Sequence, residues 1–211
     1  MADRNVFKLV GKLVGVDGLA GLVETQIQGA SRVYEDMHKV VFKDEALLKA
    51  AGKIKGSVEL IGHLAKRENS DTYPLVCAVA KTKSPHSNLA RMEVYCDLYE
   101  FFPATPSQKQ MGRMTAICNG SYFTVMAFRG LAAKLDIRAE MGTTWDIVGR
   151  LSPREFEQNG ELRDTCDLIA RTAKMLKGSG LKDELAELDK AAMGFTESGP
   201  EAESDPAAEA V

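Results

Sequence analysis

Two runs in the first third of the chain space apolar residues by three and four, and that spacing constrains the fold more than any other feature. The first run passes through Leu19, Val23, Gln26, Ala30, Val33, Met37 and Val41, with Gln26 its one polar member. The second passes through Leu47, Ala51, Ile54, Val58, Ile61 and Ala65. A helix turns about 100° per residue, so each set would occupy a single face. The spacing predicts a long helix ending at Phe42 and a second, capped by Asp44, reaching Lys66.

Ahead of these, Val6, Val10 and Leu13 fall on one side of a short segment ending near Val16, and Gly11, Gly15, Gly18 and Gly21 follow one another closely. Glycine inside a helix costs about 1 kcal/mol relative to alanine, so this segment needs a close-packed neighbour. A break is expected at Asp17-Gly18. Glu68-Asn69-Ser70-Asp71 reads as a polar turn.

The middle of the chain gives two conflicting signals. Met92, Val94, Cys96 and Leu98 alternate with Glu93, Tyr95 and Asp97, and Asn119-Gly120 lies between two strand-like runs, a strong hairpin signature. Yet Thr105-Pro106-Ser107-Gln108 reads as a helix start, and Met111, Met114, Cys118, Tyr122, Val125 and Ala132 continue from it at helical spacing. That stripe runs straight through the supposed turn, which favours helix.

In the last third, Ser152-Pro153-Arg154-Glu155 reads as another helix start, followed by Leu162, Cys166, Ile169, Ala173 and Leu176. After Gly178-Ser179-Gly180 comes a second stripe, Leu181, Leu185, Leu188 and Ala192, completing an αα-hairpin. The expectation is an all-α, single-domain bundle of seven to eight helices over residues 1–195, with a disordered acidic tail at 196–211. The alternative is α+β, with a small antiparallel sheet within 73–128. The residues show no internal repeat.

Composition restricts the functional classes. The formal net charge is −3, but residues 196–211 hold five acidic side chains and no basic one, which leaves a body of +2. The basic residues on which nucleic-acid binding would rest, Lys49, Lys53, Lys55, Lys66, Arg67, Lys81, Lys83, Lys109 and Arg113, are scattered among acids. That near-neutral mixture speaks against nucleic acid as a partner. Cys77, Cys96, Cys118 and Cys166 form no C-x-x-C pair and sit in apolar stretches, as reduced core thiols of a cytoplasmic protein would. No uninterrupted apolar run is long enough to span a bilayer, and the N-terminal segment lacks a cleavage site.

The sharpest chemical motif is Glu35-x-x-His38, with Glu59 and His63 further on. E-x-x-H is the ligand spacing of helical di-metal sites, but on a wheel His38 lies roughly 100° from the centre of the apolar stripe and Glu35 roughly 160°. The pattern reads as surface charge, so no metal or other cofactor is expected. No nucleophile motif or phosphate-binding glycine loop is present, and the balance is against an enzyme. What is left is a non-catalytic structural or assembly protein working through helix–helix contacts. Its expected contact surface is Val6, Val10, Gly11, Leu13 and Gly15 on a docking helix within residues 1–17, and its partner another protein or a second copy. A peripheral lipid-binding protein resting on a membrane surface and a metal-dependent helical enzyme are the alternatives.

Overall fold

Burial in the structure, a computed structural model describing residues 5–28, 33–66, 72–118, 120–158 and 160–177, follows a period of two. Along β4 (Ser57–Lys66), Val58, Leu60, Gly62 and Leu64 are buried while Glu59, Ile61 and His63 are not. That is the pattern of a strand with one face in a core. β1 (Asn5–Asp17), β2 (Ala20–Gln28), β3 (Val33–Phe42), α1 (Glu45–Gly52), β4 and β5 (Thr72–Lys81) make the first unit. β1 pairs antiparallel with both β2 and β4, β2 with β3 and β4 with β5, and a parallel β3–β5 contact closes the ring. Closure removes the exposed sheet edges that invite aggregation.

The second unit repeats this arrangement. It comprises β6 (Ser87–Phe102), β7 (Met111–Cys118), β8 (Ser121–Phe128), α2 (Gly130–Asp136), β9 (Thr144–Gln158) and β10 (Glu161–Lys177). β6 pairs with β7 and β9, β7 with β8 and β9 with β10, all antiparallel, and a parallel β8–β10 contact closes the ring. The two barrels join through an antiparallel β1–β6 pairing that runs from Asn5↔Met92 to Val10↔Ser87.

Matching registers put individual residues in equivalent places. Asn5 donates its side-chain amide to the Leu64 carbonyl and accepts from the Leu64 N–H, and Asn88 does the same with Leu151. Lys8 pairs with Glu59 as Arg91 pairs with Asp146. Gly62 and Gly149 each sit where a Cβ would overlap a carbonyl oxygen of the neighbouring strand, that of Leu75 or Ile169. The chain therefore holds an internal structural repeat, contrary to the sequence reading.

The cores consist of inward rows such as Phe7, Leu9, Val23, Val40, Phe42 and Leu60 in the first barrel, and Met92, Met114, Val125, Trp145, Ile147 and Leu168 in the second. Each large side chain buried in this way contributes roughly 1.5–3 kcal/mol. α1 adds Ala51 to this core, and α2 adds Ala132 and Leu135.

The all-α expectation is overturned, and so is the small-sheet alternative, since the strands of 73–128 belong to a ten-stranded system that includes β1 to β4. The stripe from Leu19 to Val41 is not a core face: Leu19, Val33 and Met37 are exposed. Asp44 does cap a helix, its carboxylate accepting from the Leu47 N–H, but that helix stops at Gly52 rather than Lys66. Gly56, at φ 106, then turns the chain into β4. Asp17-Gly18 is a hairpin turn joining Asp17 to its partner Ala20, with Gly18 at φ 56, a conformation glycine adopts without strain. Thr105–Gln108 is a loop closed by reciprocal backbone bonds, and Pro153 lies in β9 opposite Cys166. The first half of the expected αα-hairpin is the β9–β10 hairpin. Its second half and the acidic tail lie outside the described residues.

Candidate nucleic-acid interface

The outer surface of the second barrel is organised by a bulge. Along β6, Ala90, Met92, Val94 and Cys96 point inward, and the register then slips between Cys96 and Leu98. An extra residue in one strand reverses the alternation beyond it. Tyr99 and Phe101 thus turn toward the core, and Leu98 is left half exposed. Tyr99 donates its hydroxyl to the Ala132 carbonyl of α2, and burial raises its pKa to about 12. Glu100 and Phe102 share the outer side with Leu98.

Pairing extends these residues into rows across three strands. Tyr95 faces Ile117, which faces Tyr122; Leu98 faces Thr115, which faces Thr124. Glu100 faces Arg113, which faces Met126; Phe102 faces Met111, which faces Phe128. All these side chains retain solvent access, with Tyr95 at 41%, Tyr122 at 47% and Phe128 at 39%. Four aromatic rings thus lie along one face, with a charged pair between them. Arg113 donates to Glu100 at 2.7 Å, and its guanidinium lies 5.9 Å from the Phe102 ring centre. From the first barrel, Lys66 places its ammonium 5.8 Å from the Tyr122 ring centre. The Thr72 hydroxyl donates to the Tyr122 carbonyl at 2.8 Å, which fixes that approach.

The equivalent face of the first barrel is built differently. Its rows read Lys12–Glu24–Met37, Gly15–Leu22–Lys39 and Asp17–Ala20–Val41, without an aromatic residue. Leu22, Met37, Lys39 and Val41 line a cleft of about 350 Å³ whose opposite wall includes Pro153, Arg154, Asp164 and Thr165 of the β9–β10 hairpin. Lys39 pairs with Asp164 across this gap, and Arg150 of β9 pairs with Asp36 of β3.

His38 borders the same cleft but is almost fully buried, with Nε2 lying 3.1 Å from Thr25 Oγ1 and 3.4 Å from Asn88 Nδ2. Nδ1 has no partner. Burial outweighs the nearby Asp36 carboxylate and lowers the imidazole pKa to about 4. Burial likewise raises the thiols of Cys96 to about 11 and Cys166 to about 12, so both stay protonated at neutral pH.

The residues singled out by sequence are dispersed. Glu35 and His38, three apart on a strand, point to opposite sides of β3. Glu59 is engaged by Lys8, and His63 Nδ1 lies 3.6 Å from the Cys77 thiol on the outer surface. Among the described residues, no cluster of three or more His, Cys, Asp or Glu side chains is placed to hold a metal. Of the expected contact surface, Val10 is buried, Leu13 packs on the core and a Cβ at Gly11 would meet the Glu24 backbone, while Val6 is exposed. These residues belong to a central strand paired on both sides, not to a helix that docks elsewhere. Cys77 is exposed, not a core thiol.

Each ring of five strands, in the order 1-2-3-5-4-1 with a helix between the third and fourth, is an OB-fold barrel, and the chain carries two. No family model and no curated protein sequence matches it. Among solved structures, the wild-type single-stranded DNA binding protein from Thermus aquaticus is similar with a TM-score of 0.65 and 15% identity, covering 84% of this chain and 95% of that one. A deletion variant of the same Thermus aquaticus protein gives a TM-score of 0.60 at 15% identity, covering 83% and 96%.

These findings correct the functional expectations. Assembly through helix–helix contacts, a lipid-binding helix and a helical metal enzyme all required helices that are strands. The expectation against nucleic acid loses its ground as well: the similar solved structures are of a single-stranded DNA binding protein, and total charge could not see which residues share a face.

Proposed function

We propose that the chain binds single-stranded nucleic acid, DNA in the first instance, on the outer face of β6, β7 and β8. The observation that carries this reading is the set of four solvent-accessible rings, Tyr95, Phe102, Tyr122 and Phe128, on the face that OB barrels commonly use for oligonucleotides. Unpaired bases expose both π faces and stack on such rings, whereas a duplex keeps its bases stacked on one another. Arg113 and Lys66 lie among the rings, where a phosphate chain would pass. The aromatic share of the whole chain is only 7%, so their concentration on one surface is informative. The Thermus aquaticus single-stranded DNA binding proteins add support through a likeness of fold that covers 84% and 83% of this chain.

Fluorescence anisotropy with labelled oligothymidine and with a duplex of equal length tests the reading. The expected result is preferential binding of the single strand, weakened by salt. Tyr122→Ala and Phe128→Ala should each weaken binding by about 1–3 kcal/mol, the range measured for base-stacking residues. Failure of the wild-type protein to bind the single strand at low salt, or equal affinity for the duplex, would overturn the proposal.

A further inference from the structure

The two barrels differ in what covers their equivalent faces, and the cause is the length of one hairpin. In the first barrel β4 ends at Lys66 and β5 starts at Thr72, these two being partners in the ladder. The corresponding pair in the second barrel is Pro153 and Cys166, but there the ladder continues to Gln158 and Glu161. Residues 154–158 and 161–165 therefore form an additional two-stranded arm, where residues 67–71 alone separate the corresponding strands of the first barrel. At about 3.3 Å per residue, five residues beyond Pro153 extend the arm by roughly 16 Å.

The arm is braced from its own barrel and held by the other. Arg154 donates to Asp167 at 2.8 Å, and its guanidinium lies 5.5 Å from the Phe156 ring centre. Beyond them, Asp164 reaches Lys39 of β3, and Arg150 reaches Asp36 at the arm's base. On the first barrel the arm stands over Leu22, Met37, Lys39 and Val41. By register these occupy the places of Thr115, Tyr122, Thr124 and Met126 on the open face. The β1–β2–β3 rows of the bridged face carry no aromatic ring, and Tyr73, which lines the cleft, comes from β5.

We infer that the barrels divide their roles: the second alone holds the nucleic-acid strand, and the first uses the equivalent face to seat the arm of residues 154–158 and 161–165. Each chain then occupies one segment of strand, about 4–16 nucleotides, instead of the two that its barrel count suggests. This inference rests on the proposed function and makes it more specific.

Titration with oligothymidines of increasing length, read by anisotropy and by the mass of the complex, tests it. The expected stoichiometry with the shortest oligothymidine that binds is one per chain. Tyr122→Ala and Tyr95→Ala should each weaken binding about tenfold or more, while Leu22→Ala and Met37→Ala should change it less than twofold. Two oligonucleotides per chain, or comparable losses from both sets of variants, would overturn the division of roles while leaving single-strand binding intact. Absence of binding by the wild-type protein would instead overturn the proposed function and this inference with it.

Discussion

The first and second barrels share a scaffold down to single hydrogen bonds and differ in what the scaffold displays. Asn5 and Asn88 clasp the backbones of equivalent leucines, and Gly62 and Gly149 admit equivalent carbonyl oxygens. The same register slip interrupts β1 after Leu13 and β6 after Cys96. Outside, one barrel presents Tyr95, Tyr122 and Phe128 where the other presents Lys12, Met37 and a bridging arm. Backbone closure fixes what must be retained inside, whereas the outer surface varies without disturbing the ladder. The comparison locates function by difference: residues common to both barrels hold the fold, and those peculiar to one carry its task.

The strongest test of the shared scaffold is the glycine pair. A methyl group at Gly62 or Gly149 would overlap backbone atoms of the adjacent strand, which cannot rotate aside as a side chain can. Gly62→Ala and Gly149→Ala should each lower stability by about 3 kcal/mol or more, measured by urea unfolding. Similar losses in both barrels would confirm the equivalence. A near-neutral result at either position would break it.

How much of this was legible follows from particular residues. Asp44 announced its helix, and Asn119-Gly120 announced the β7–β8 hairpin, where Gly120 takes φ 73 and Cys118 pairs with Ser121. In the sequence the stripe from Met111 to Ala132 outweighs that hairpin signal. On strands, residues three apart point to opposite sides, so the stripe mixes inward Met114 and Cys118 with outward Met111 and Tyr122. Spacing by three and four arises by chance when strands contain apolar residues on both faces, as β7 and β8 do. The alternation from Met92 to Leu98 was visible, but its bulge at Asp97 was not. The repeat was hidden because closed barrels constrain register and volume more than identity; Phe42 in one answers to Ala127 in the other. The aromatic face was illegible for a different reason: its rings come from separate strands, and only the pairing assembles them.

Within the core, His38 sharpens the comparison, since the equivalent place in the second barrel holds Phe123 and the place of Thr25 holds Cys118. A buried imidazole with a pKa near 4 stays neutral while the unfolded chain, titrating at 6.5, takes up a proton. Stability is therefore at its full value above about pH 6.5 and falls as pH drops toward 4. The nearby charges of Asp36 and Arg150 oppose each other. The loss should approach about 3 kcal/mol at pH 4, on the basis of 1.36 kcal/mol per pKa unit. His38→Phe, which installs the residue of the other barrel, should abolish this part of the pH slope whatever it does to stability at neutral pH. An unchanged slope in urea titrations between pH 6.5 and 4 would show that another group is responsible.

The smallest effect is expected where the barrels differ most visibly, at the bridge between Lys39 and Asp164. Both side chains are about half exposed, at 56% and 46%, so solvent and salt screen their attraction. Ordering two flexible side chains offsets much of what is left. Lys39→Glu should lower stability by less than about 1 kcal/mol, with Asp164→Lys in the same chain restoring it, and high salt should erase the difference. The arm would still be held by its own ladder, because β9 and β10 remain paired from Thr144 to Glu161 whether or not the bridge forms. A loss of several kcal/mol would mean that the arm and the first barrel fold as one cooperative element, and the bridged face would then be part of the scaffold instead of a surface peculiar to one barrel.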